Sequence, residues 1–254
     1  MRIFTKEILK RDRLVSLCKN AIVSSKAETI DDLFFYFLCN REYKGFLEEK
    51  IETTLKAIAQ KSSRGTNRIN TKDVAQKKFA NHIKEVKEII KLLPKRISNE
   101  IADIRVFALG VVSKNVKLML IEYANKTESK ILDLLKIVSE NNIKNQKKLS
   151  KEILINELCE ILVTGVYYKN GNIDIHYSNK ILRIHSAEII EKDFNRINVL
   201  YFDKQYSGLC YVVQVELYYE NGKFELHLLL EDRDMYNKLS LCYLTVRGTD
   251  ITII

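Results

Sequence analysis

Over the first 140 residues the apolar positions recur at threes and fours, and beyond about residue 160 they alternate, so the chain reads as helices followed by half-buried strands. Ile8, Val15 and Ile22 predict a first helix. Thr29 ahead of Asp32 offers an N-cap for a second helix, which carries Leu33, Phe34, Phe37 and Leu38, then Leu47, Ile51, Leu55 and Ile58, with Gly45 as a break or kink. The polar, aperiodic stretch 61–68 predicts a loop. A further helix is expected from Asn70 or Thr71 to Leu93, where Pro94 cannot continue it. On a helical wheel its Ala75, Phe79, Ile83, Val86, Ile90 and Leu93 form one apolar stripe. Lys77, Lys84, Lys87, Lys91 and the nominal continuation at Lys95 fall on the opposite face as a ridge. Two more helices are expected over 98–123 and 127–139, and the polar window 140–150 reads as a connector.

In the second part, Asn170-Gly171 and Asn221-Gly222 fit type I′ hairpin turns, and each sets a register that can be checked. The first pairs Tyr168 with Ile173 and Val166 with Ile175; a turn at Ser178-Asn179 then pairs Ile175 with Leu182 and Ile173 with Ile184, keeping one apolar face across three strands. On the other face Asp174 lands opposite Arg183. The second turn pairs Leu217 with Leu226 and Val215 with Leu228, and places Glu216 opposite His227. With segments 240–247 and 249–254 added, the fold class is α+β: a helical N-terminal bundle over 1–149, then an antiparallel sheet module of about six or seven strands over 150–254.

Composition changes this picture in three ways. Apolar residues make up 46% of 254, enough for a real core, which excludes wholesale disorder. The longest apolar runs, 33–39 and 106–112, fall far short of the roughly 20 residues that cross a bilayer, so no membrane is expected. The start, Met-Arg-Ile-Phe-Thr-Lys-Glu, has no apolar core of an export signal, which makes the cytoplasm the expected address. Five cysteines at wide spacing, with no CxxC pair, read as reduced core thiols.

Charge is the unusual feature. The chain carries a net +9, and residues 56–96 alone hold 12 basic and 3 acidic side chains. Arg64, Arg68, Lys77, Lys84, Lys87, Lys91 and Lys95 therefore form a candidate anion or phosphate surface, suited by its lysines to non-specific nucleic-acid binding. The alternative stays open that a lysine-rich composition has simply accumulated on solvated helix faces.

No phosphate loop, dinucleotide fingerprint, nucleophile elbow or zinc-protease motif is present, and no cofactor or metal set is read from the sequence. The candidate polar cluster is the solvent face of the first three strands, Tyr167, Asp174, His176 and Arg183, with His185 roughly 13 Å from His176 and so unable to share a metal with it. His227 beside Glu216 could titrate near neutrality but lacks a nucleophile. The run Phe34-Phe35-Tyr36-Phe37 is expected to be buried between helices, with part left as a contact surface.

The opening Phe4-Thr5-Lys6-Glu7, the stretch Leu93-Pro94-Lys95 followed by Ile101-Ala-Asp-Ile-Arg-Val-Phe-Ala-Leu-Gly110, and the ending Leu226-His-Leu-Leu-Leu with Leu244-Thr-Val-Arg-Gly-Thr-Asp-Ile251 resemble an uncharacterised bacterial family found mainly in Bacillota. The resemblance implies a helical N-terminal part joined to a β-rich C-terminal part, without an activity. Relatives carry a His-Asp pair at the head of the β part, where this chain has Cys159-Glu160. Together these readings lead to a non-catalytic interaction or regulatory protein that meets a protein partner through the sheet's polar face or edge; the alternative is non-specific nucleic-acid binding by the basic helical face.

Overall fold

Local capping decides where the helices stop. In the computed structural model, which describes residues 2–60, 71–151, 153–192, 210–233 and 239–254, helix α1 (Lys6–Asn20) ends before a short strand β1 (Ile22–Val23). Helix α2 (Asp32–Gln60) is capped by Asp31, whose carboxylate accepts the Phe34 amide at 3.0 Å, two residues later than Thr29 suggests, and it runs through Gly45. Helix α3 (Thr71–Ile90) closes with a turn, and Pro94 opens the short helix α4 (Lys95–Ser98) instead of merely ending α3.

The expected helix over 98–123 is replaced by three elements: α5 (Ile104–Ala108), strand β2 (Val111–Val112) and the start of α6 (Lys114–Gln146). Asp103 accepts the Arg105 amide at 2.9 Å to start α5, Gly110 at φ +75° ends it, and Ser113 accepts the Val116 amide to start α6. The Val111-Val112 pair between these stops has only β1 to join, in a two-stranded parallel ladder. Helix α6 then continues to Gln146, so most of the polar window read as a connector is helix.

Eight strands form one antiparallel sheet among the described residues: β3 (Leu162–Lys169), β4 (Asn172–Tyr177), β5 (Lys180–His185), β6 (Glu188–Lys192), β7 (Cys210–Glu220), β8 (Lys223–Arg233), β9 (Leu239–Gly248) and β10 (Asp250–Ile253). Their order is β10-β5-β4-β3-β7-β8-β9-β6. Every register derived from the hairpin turns is present, including Asp174 with Arg183 and Glu216 with His227. Gly171 and Gly222 sit at φ +75° and +76°, the left-handed backbone these turns require. The strand missing from the sequence count is β6, where a register shift between Ile189 and Glu191 breaks the alternation.

The described residues divide into two compact units, a helical one within 9–130 and a sheet one made of 2–8 with the described parts of 131–254. The sheet unit thus also takes the first residues and the last turns of α6, where a cut at 149/150 would leave them with the helices. Its core unites both halves of the sheet, with Ile173, Ile175, Leu182 and Ile184 clustered with Val215, Leu217, Leu226, Leu244 and Val246.

Among the described residues strands β3 and β7 pair at Leu162 with Tyr211 and Val163 with Cys210. Beyond that, α6 serves the open edge of β7. Asn142, fully buried, accepts the Leu217 amide at 2.7 Å and donates to the Val215 carbonyl at 3.0 Å, while Asn145 donates to the Leu217 carbonyl at 2.8 Å. Amide side chains replace a neighbouring strand here, which is why this helix end is rich in asparagine.

Candidate functional site

The outer face of β7, β8 and β9 is a grid fixed by register. Its rows are Gln214, Leu229, Tyr243; Glu216, His227, Thr245; and Tyr218, Glu225, Arg247. The middle row is polar yet buried, with Glu216, His227 and Thr245 at 3%, 7% and 1% exposure. Residues 2–6 cover it. The Glu216 carboxylate accepts the amides of Ile3 at 3.0 Å and Phe4 at 2.7 Å, and Tyr218 donates its hydroxyl to the same carboxylate. Arg2 lies 3.7 Å over the Tyr243 ring, donates to Thr245 at 2.8 Å and pairs with Glu191. The Lys6 amide donates to the Tyr243 hydroxyl at 2.8 Å.

Burial pushes the His227 imidazole below its ordinary pKa, against the pull of Glu225, whose carboxylate is 2.7 Å from Nε2. The ring is then neutral at pH 7, donating from Nε2 and leaving Nδ1 bare and buried without a partner. Burial raises Glu225, but Arg247 at 2.7 Å and His227 outweigh it and hold its carboxyl below the usual range. Burial, and then the hydrogen bond it donates to Glu216, raise Tyr218. An open cleft of about 350 Å³ lies beside this cluster, lined by Tyr218, Glu220, Asn221, Lys223, Glu225 and Arg247.

The polar face singled out from sequence occupies the other half of the sheet, where its members face one another. Arg183 grips Asp174 through two bonds of 2.7 Å, which holds the Asp174 carboxyl low; Asp174 is buried, while the Arg183 side chain stays partly in solvent. The Tyr167 ring packs on His176 at 4.5 Å, and His185 meets Thr252 at 2.8 Å. Cys159 is packed against the core with its thiol raised by burial, and Glu160 turns the chain at φ +65°. Among the described residues no group of His, Cys, Asp and Glu is placed to hold a metal ion.

In the helical unit, Lys77, Lys84, Lys87, Lys91 and Lys95 are all exposed, opposite the buried Ala75, Val86, Ile90 and Leu93. Lys91 shares its charge with Glu88 at 2.7 Å. Arg64 and Arg68 lie outside the described residues. The aromatic run on α2 divides: Leu38, Phe34 and Phe35 enter the core beside Val106 and Val111, while Ile30, Leu33, Tyr36 and Phe37 stand 70%, 83%, 62% and 61% exposed. Cations lie against the core-facing side of the same stretch. Lys26 lies 5.6 Å over Phe34, Arg105 lies 4.7 Å over Phe35, and Lys87 is near enough to temper the burial-raised thiol of Cys39.

Glu216, His227, Asp174 and Arg183 are readable from the sequence because two hairpin turns fix their pairing. Tyr218 and Glu225, two residues along the same strands, carry no such signal; Arg247 and Thr245 are brought in by the pairing of β8 with β9, and Arg2 by the N-terminal segment. No protein-family model, curated protein or solved structure matches the chain. No described helix is long and apolar enough to cross a membrane.

Proposed function

We propose that this chain is an interaction protein without a catalytic role, and that its helical unit docks a protein partner on the first turns of α2. The observation that carries this reading is the exposed apolar face of Ile30, Leu33, Tyr36 and Phe37. A contiguous apolar patch of this kind, offering two aromatic rings, is the composition of an interface centre. Residues 9–130 hold 25 basic and 15 acidic side chains, so the complementary partner presents apolar contacts with an acidic rim. The polar face of Tyr167, Asp174, His176 and Arg183 is a poorer docking surface, because its hydrogen-bonding groups are engaged with each other.

The test compares the tagged full chain with a Leu33→Ser, Phe37→Ser variant expressed in the native cells, followed by calorimetry on the purified partner. Direct binding that the double change weakens at least tenfold is expected, and equal affinity for both proteins contradicts the reading. The competing reading, nucleic-acid binding, is favoured by the exposure of all five ridge lysines. It would prevail if the chain bound labelled duplex or RNA with steep salt dependence that Lys84→Gln, Lys87→Gln reduces.

A further inference from the structure

A sheet face that is to be covered permanently gains most from apolar side chains, which lose nothing when water leaves. The middle row of the β7–β9 face is instead a carboxylate, an imidazole and a hydroxyl, all within a tenth of full burial. What they meet is a short segment that bends at Ile3 and Phe4 and enters α1 at Lys6, and each contact is of a kind that recognises a peptide. Glu216 reads two consecutive backbone amides, which any non-proline sequence supplies. Tyr243 takes the third amide through its hydroxyl and offers its ring to a guanidinium.

Selectivity comes from the side chains. The two side chains of the segment set against the face are Arg2 and Phe4. Arg2 spans Tyr243, Thr245 and Glu191. Phe4, 5% exposed, sits among Gln214, Glu216, His227, Leu229 and Tyr243. The fit is incomplete in a telling place. Among the described residues three buried side-chain polar atoms lack a partner, and two of them, Arg2 Nε and His227 Nδ1, lie at this contact. A neutral imidazole nitrogen beneath the segment is an acceptor that residues 2–6 leave unused.

We propose that the outer face of β7, β8 and β9 is a peptide-binding surface whose resident ligand is the chain's own segment 2–6, and that a peptide with an arginine followed two positions later by phenylalanine, bent as that segment is, takes its place. Attachment in the same chain gives the resident segment a high effective concentration, so an outside peptide competes only when that segment is weakened or the peptide is in large excess. The surface is separate from the α2 face and stands whether or not that face binds a protein.

The probe is a fluorescein-labelled, acetylated and amidated Arg-Ile-Phe-Thr-Lys peptide, titrated by anisotropy into the full chain and into an Arg2→Ala, Phe4→Ala variant. The variant is expected to bind at least tenfold more tightly than the parent, to ignore a scrambled peptide and to lose binding when Glu216→Gln is added. A second measurement uses the parent protein alone: millimolar unlabelled peptide accelerates hydrogen exchange at the Ile3 and Phe4 amides. Unchanged exchange at those amides, or equal binding of the scrambled peptide, overturns the proposal, and this holds even if the double variant fails to fold.

Discussion

At the scale of single residues, His227 turns burial into a pH response. Its pKa is depressed in the folded chain and returns to about 6.5 on unfolding. As pH falls through the ordinary histidine range, the unfolded chain therefore takes up a proton that the native ring refuses, and stability drops with it. Between the depressed value and 6.5, urea denaturation is expected to show stability falling toward acid, and His227→Gln flattens that slope. A slope unchanged by the substitution would remove His227 as its source. The pairing of His227 with Glu216 was legible because Asn221-Gly222 sets it by counting. The contact of Glu216 with Ile3 and Phe4 was not, since a separation of more than two hundred residues leaves no period to read.

At the scale of elements, the sheet was more legible than the helices. Hairpin registers follow from local turn chemistry, whereas the division of 98–123 into helix, strand and helix follows from Asp103, Gly110 and Ser113, stop signals that an unbroken apolar spacing conceals. The end of α6 misled for a different reason. Asparagine ordinarily marks loops, yet Asn142 and Asn145 are buried against backbone groups of β7 that no strand partner reaches. Asn142→Leu keeps the volume but strands the Leu217 amide and the Val215 carbonyl, so it is expected to destabilise the protein by about 2–3 kcal/mol in urea denaturation. A loss under about 0.5 kcal/mol, the level of an ordinary surface change, would mean that these amides do not close the edge of β7.

At the scale of the whole molecule, the positive charge falls on the helical unit, exposed apolar residues are shared by both units, and most of the buried polar residues belong to the sheet unit. The lysine ridge was legible from periodicity alone, because a helix with one apolar stripe must turn its lysines the other way. The docking face of α2 was legible only in part. Four consecutive aromatic residues cannot all enter one core, but which of them stay outside depends on where α5 and β2 pack, and Val106, Leu109 and Val111 take Phe34, Phe35 and Leu38. The exposed face of α2 is expected to meet a protein. Hydrogen exchange of the full chain, alone and saturated with the partner it retains, tests this. Protection concentrated over residues 30–44 is the predicted result, and exchange there that is identical in the free and bound chain would contradict it.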